Sequence, residues 1–188
     1  RIVLVLCGII VSGFMAAVIG LLKYLADPDT ELADIVYWQL GSLAKVSWDN
    51  LLYVTPIIVF TLAGLLAMRW RMNVLSLSDQ EAASLGVNVQ RERLAVIALA
   101  TLLTASAVCL SGTIGWIGLI LPHLARMLVG GNHAHLLPAT AVLAASFLML
   151  ADLLARTLTS AEVPLGILCG FVGTPFFAWI LYRQRRYF

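Results

Sequence analysis

The sequence predicts an all-α membrane protein, a polytopic helical bundle of about six transmembrane helices with short interfacial and cytoplasmic helices between them. Three observations predict it. Of 188 residues, 61% are hydrophobic and 12% charged, with a mean hydropathy of +0.96. A soluble domain sits nearer half apolar and a quarter charged. The apolar residues fall in runs long enough to cross a bilayer, and the basic residues gather on alternate connections between those runs. A net charge of +2 is too small to point to nucleic acid.

The chain opens on Arg1 and enters an apolar run directly, without the polar cleavage region of a signal peptide. The sequence is therefore expected to be part of a longer polypeptide. Ile2 to Leu22 carries no charge, and at 1.5 Å per residue it reaches about 31 Å, enough for the hydrocarbon core. Gly8, Ser12, Ala16 and Gly20 recur every four residues in it, a small-residue stripe that lets a second helix approach closely or lines a path. Asp27 to Asp34 is acidic, contains Pro28 and reads as a loop. Ile35 to Ala44 is too short to span; its Tyr37 and Trp38 suit a short helix at the membrane interface.

Leu51 to Met68 is the second span, with Pro56 in its first turns and Arg69 and Arg71 at its end. A polar island, Ser76 to Arg93, follows. Leu94 to Ala125 has no Asp, Glu, Lys or Arg and is too long for one span. Ser111, Gly112, Gly115 and Gly118 divide it into a third span, Leu94 to Leu110, and a shorter fourth, Trp116 to Val129. Pro122 kinks the fourth, Arg126 snorkels from its end, and a re-entrant segment is the alternative. Gly130 to His135 is a turn, Leu136 to Ala151 the fifth span, and Val163 to Tyr182 the sixth. The sixth holds Gly166, Gly170 and Gly173 as a second small-residue stripe, with Pro175 beyond.

Six spans place both ends on one side. That side holds Arg1, Arg69, Arg71, Arg91, Arg93, Arg126, Arg183, Arg185 and Arg186; the other holds Lys23, Lys45 and Arg156. The positive-inside rule makes the first side cytoplasmic, the C-terminus and the polar island included. Within the island, Ser78-Asp79-Gln80-Glu81 fits a capping box, Gly86 a helix stop and Asn88 the cap of the next helix. A plain connection needs only a few residues. This one is longer and built for rigidity, which suits a docking surface.

No phosphate-binding G-x-x-x-x-G-K-[ST] loop is present, nor H-E-x-x-H or G-x-S-x-G. Cys7, Cys109 and Cys169 lie in apolar runs and read as packing residues. His123, His133 and His135 read as satisfied or solvated; a membrane-embedded metal-handling enzyme would need all three to converge. An ATP-independent channel is a further alternative, but it leaves the long capped island without a purpose. Asp152 and Arg156 are spaced i, i+4, which fits a structural ion pair and an outward-facing arginine equally.

From Gly112 to Arg126, Gly-Thr-Ile-Gly-Trp-Ile-Gly-Leu-Ile-Leu-Pro-His-Leu-Ala-Arg, the sequence resembles the permease family of bacterial ABC importers for iron chelates and cobalamin. The resemblance continues at His133, Leu136-Leu137-Pro138, Ala151 to Arg156, Glu162 to Gly166 and Gly173 to Phe176, and at Leu77 to Gly86. It implies a type II importer permease of ten spans per subunit, working as a homodimer in the bacterial inner membrane. Residues 1–188 would be one permease domain, the last six spans of that subunit. Ser78, Asp79, Glu81, Ala82, Leu85 and Gly86 would form the coupling helix that enters a cleft of a cytoplasmic ATPase, which binds ATP and Mg; no cofactor is expected in this chain. Arg156 would dock an extracytoplasmic substrate-binding protein. The stripe at Gly8, Ser12, Ala16 and Gly20 would line the translocation path and pack at the dimer axis, and Gly166, Gly170 and Gly173 would help pack the dimer interface. Asn132-His133-Ala134-His135 departs from the common Asp-His-Arg pattern and lacks its arginine.

Overall fold

A computed structural model describes residues 2–158 and 162–184, and among them all regular structure is helical. The order is α1 (Ile2–Leu25), α2 (Glu31–Gln39), α3 (Trp48–Ala67), α4 (Arg69–Leu75), α5 (Asp79–Ser84), α6 (Val89–Ser111), α7 (Ile117–Val129), α8 (His133–Thr157) and α9 (Leu165–Gln184). The expected charges at Arg1, Arg185 and Arg186, and the side chain of Arg183, lie outside the described residues.

The chain divides into two compact units, Arg1–Gln39 and Leu40–Phe188. In the first, α1 is apolar throughout, and its turn into α2 is closed by side chains. The Asp29 amide donates to Asp27 Oδ1 at 3.0 Å and the Asp27 amide to Glu31 Oε2 at 3.2 Å. The short helix begins at Glu31 rather than Ile35 and ends at Gln39 rather than Ala44. Its two acids, Glu31 and Asp34, sit in the first turn, where they favour the positive end of the helix. Gly41, at φ +74°, stands in the left-handed region and stops the chain from continuing as helix.

In the second unit α3 packs on α6, and α7 and α9 pack on α8. Gly64 on α3 faces Leu99 on α6; a Cβ there would come 3.0 Å from the Leu99 Cδ1. Thr61, fully buried on the same helix, returns its hydroxyl to the Ile57 carbonyl at 2.7 Å, so its own polar group is paired. Ala151, Ala155, Leu165 and Cys169 form a small core where α8 meets α9. Cys7 and Cys109 are exposed, so only Cys169 serves as the packing residue expected of all three.

Among the described residues, four helices are long and apolar enough by length and composition to cross a membrane, Val3–Leu25, Trp48–Ala67, Val89–Ser111 and His133–Thr157, where about six were expected. Ile117–Val129 and the apolar part of α9, Leu165–Ile180, fall in the 10–17-residue range. The 13 residues of α7 reach about 20 Å, two-thirds of a hydrocarbon core. Gly112 breaks the helix with φ +68° and extended ψ, and Trp116 takes a left-handed φ of +69° before helix resumes. The residues that divide the long apolar run thus also take length from its second half. Many large apolar side chains of the long helices, Leu52, Phe60, Met149 and Leu153 among them, are exposed, as a lipid-facing surface requires.

The connections of the second unit sort into two ends. One gathers α4, α5, the start of α6 and the turn from α7 to α8. At the other, the Ser42 amide donates to the Ser111 carbonyl at 2.8 Å, the Gly166 amide to the Leu40 carbonyl at 3.0 Å, and the Val163 amide to the Ala155 carbonyl at 3.2 Å.

Candidate functional site

The capped island is present as a built element. Ser78 is the N-cap of α5: its Oγ accepts from the Glu81 amide at 3.3 Å, while Glu81 Oε2 accepts from the Ser78 amide at 3.0 Å and the Ser78 hydroxyl at 2.7 Å. The bonds from the Ser78 side chain and backbone hold the Glu81 carboxyl below its ordinary range. Asp79 stands in the first turn. At the other end the Gly86 amide donates to the Ala83 carbonyl at 3.0 Å and the Val87 amide to the Ala82 carbonyl at 3.3 Å. With Gly86 at φ +76°, this is a Schellman stop. Ala82 is buried, whereas Leu85 is 62% exposed and offers an apolar contact outward. A Cβ at Gly86 would meet nothing within 4 Å, so its backbone angle, not its space, calls for glycine.

The island is braced against its neighbours. Asp79 Oδ1 pairs with Arg93 on α6 at 2.8 Å, and Arg71 on α4 pairs with Glu92 on α6. Asn88 caps α6, its side chain accepting from the Arg91 amide at 3.2 Å. Sequence reasoning missed α4 and a side-chain cluster on it. Asn73 Nδ2 lies 2.8 Å from Asn132 Oδ1, and Asn73 Oδ1 lies 2.8 Å from the His133 amide and 2.9 Å from His133 Nδ1. The one signal in the sequence is Asn132, a good N-cap just before an apolar run, and it does cap α8.

Arg156 and Asp152 form an ion pair, Nε to Oδ2 at 2.9 Å, with the arginine side chain 46% exposed. They stand at the end of α8 remote from Asn132, so pairing and outward exposure coexist. Gly8, Ser12, Ala16 and Gly20 lie on α1; a Cβ added at Gly8 or Gly20 would meet nothing within 4 Å, and Ser12 Oγ is turned back to the Ile9 carbonyl at 3.0 Å. The second stripe divides. Gly166 packs its Cα on the Leu40 carbonyl, and a Cβ at Gly173 would stand 2.7 Å from Trp116 Cβ, so both glycines serve contacts within this chain. Gly170 faces an open groove with Ile167, Phe171 and Thr174. Trp116, Phe147, Cys169 and Phe176 line an apolar cavity of about 150 Å³ among α7, α8 and α9. His133 is engaged by Asn73, and among the described residues no three of His, Cys, Asp or Glu come together as a metal site.

Residues 1–183 match the FecCD transport family. The chain belongs to that family. The FecCD relatives include the molybdate import system permease protein MolB of Haemophilus influenzae, 43% identical over 183 residues, or 97% of this chain and 54% of the relative. The hemin transport system permease protein HmuU of Yersinia pestis is 43% identical, with 97% and 54% covered. The cobalamin import system permease protein BtuC of Halobacterium salinarum is 38% identical, with 95% and 47% covered. This chain therefore spans about half the length of the curated relatives it matches. A solved inward-facing structure, assigned to the metal-chelate type of ABC transporter, superposes with a TM-score of 0.92 at 43% identity, covering 96% of this chain and 58% of that one.

Proposed function

We propose that this chain is the C-terminal part of the transmembrane permease of an ATP-driven ABC importer. The observation that carries the reading is the island at Ser78 to Gly86: a short helix capped at both ends, braced to α4 and α6, and presenting Leu85 outward. Rigidity at both ends lets such a helix receive a push without melting, as a coupling helix seated in an ATPase cleft must. Ser78, Asp79, Glu81, Ala82, Leu85 and Gly86 form that contact. ATP and Mg belong to the partner ATPase, and alternating access of the membrane helices follows its closure. Arg156 faces a substrate-binding protein on the opposite side, and a second copy of the permease completes the pathway, with the stripe on α1 and Gly170 on α9 supplying close approach. The cargo is a metal complex or oxyanion of the kind named for the relatives: hemin, ferric dicitrate, cobalamin or molybdate. The bacterial inner membrane, with the island and the C-terminus cytoplasmic, is the setting that the basic residues around the island support.

The test is Gly86→Val in the full-length permease, assembled with its ATPase in proteoliposomes. A β-branched residue at φ +76° costs on the order of 1–2 kcal/mol and distorts the stop without touching the core. ATP hydrolysis should continue while uptake falls, with the unfolding midpoint lowered by no more than a few degrees. Full uptake by this variant would remove the coupling role.

A further inference from the structure

The side-chain cluster at Asn73, between α4 and the start of α8, has no part in the function proposed above, and its atoms can be identified from the hydrogen bonds alone. A backbone N–H only donates, so the Asn73 atom 2.8 Å from the His133 amide is oxygen. The same oxygen lies 2.9 Å from His133 Nδ1, so that nitrogen carries a proton and the neutral ring is the Nδ1–H tautomer. Asn73 Nδ2 then donates to Asn132 Oδ1, which also accepts from the Ala134 amide at 3.0 Å. Two first-turn amides of α8 are thus held by side chains, one from its own cap and one from a helix 60 residues upstream.

The connection from Asn73 to the island has no slack. The Ser76 amide donates to the Met72 carbonyl at 3.1 Å, the Leu77 amide to the Val74 carbonyl at 3.2 Å, and the Ser76 hydroxyl to the Asn73 carbonyl at 2.6 Å. Ser78 follows at once as the cap of α5. On the other side of the latch, α8 is one helix of 25 residues, about 37 Å long, with Asp152 and Arg156 at its far end.

We infer that Asn73 is a positioning residue that latches α8 to the island, so that displacement of α5 is delivered to the whole of α8 and to its Arg156 end. The inference rests on the importer reading and adds the route by which the push crosses the membrane. The latch uses Oδ1 of Asn132, so Asn132→Asp keeps it, whereas Asn73→Leu removes all three of its side-chain bonds at the same number of side-chain heavy atoms.

The experiment uses the full-length permease with its ATPase and binding protein in proteoliposomes, with molybdate, hemin, ferric dicitrate and cobalamin as probes. Asn73→Leu should lower uptake per ATP hydrolysed on the order of tenfold, the size expected from losing about one net hydrogen bond's worth of linkage. Nitrogen NMR of His133 should show the Nδ1–H tautomer in the wild type and its loss in Asn73→Leu. Asn132→Asp should match the wild type in both readouts. His133→Phe keeps the backbone bond and the ring volume, and should give an intermediate loss of uptake even if Asn73→Leu does not fold. Wild-type stoichiometry in Asn73→Leu, or in His133→Phe where the first does not fold, overturns the latch alone. Absence of ATP-driven uptake of all four probes by the wild type overturns the importer reading and the latch with it.

Discussion

Ser78 and Glu81 hold each other through both side chains and the backbone, so changing either disturbs both. Ser78→Ala should lower local helix stability by about 1 kcal/mol, read as faster amide exchange across Asp79 to Ser84. Because its bonds to Ser78 lower the Glu81 pKa in the folded state, the hold of the Glu81 carboxylate on Ser78 is present in full above the ordinary carboxylate range. It is lost as pH falls through the lowered value. Protection of the α5 amides, taken relative to intrinsic exchange at each pH, should therefore fall on acidification, and Glu81→Gln should flatten that dependence. These residues were legible in the sequence because each of their capping bonds closes over three positions. The Asn73 latch was not legible, because its partners stand 59 and 60 residues away.

At the scale of elements, the long helices follow their apolar runs to within a few residues, while α4 and α7 needed the structure. Arg69-Trp-Arg-Met-Asn has no apolar period to announce a helix, yet α4 continues α3 after Met68, whose amide still bonds the Gly64 carbonyl at 3.0 Å. The short α7 packs mainly on α8 and approaches α9 closely where Gly173 meets Trp116. A Cβ at Gly173 would meet Trp116 Cβ, an atom next to the backbone that cannot swing away. Gly173→Val should therefore lower stability by about 1–3 kcal/mol, measured as a lower unfolding midpoint in detergent, with α5 exchange unchanged. Survival of the wild-type midpoint would show that α7 and α9 can separate freely. Gly166 obeys the same logic against the Leu40 carbonyl, which accepts its amide hydrogen bond at 3.0 Å.

For the whole molecule, what matters is which features share an end. In the second unit α5, the start of α6 and the Asn73 cluster lie at one end and the Arg156–Asp152 pair at the other. An importer needs such a division, since its ATPase and its binding protein occupy opposite sides of the membrane. Arg156→Glu in the full-length permease should weaken binding-protein affinity, with the largest effect at low salt, where an exposed charge is least screened. It would also place two acids at i, i+4, so Asp152→Asn is the control; loss of affinity in the control alone would return Arg156 to a structural role.

Composition and charge pattern by themselves determined that this is a helical membrane protein. Local capping chemistry determined that Ser78 to Gly86 is a rigid, stopped helix. Both follow from interactions that act within a turn or along a single run. Only the tertiary structure decided that Gly166 and Gly173 are used inside the chain, and that Asn73 meets His133. Those outcomes depend on where helices far apart in sequence touch, and hydropathy, which scores each run alone, carries no term for such contacts.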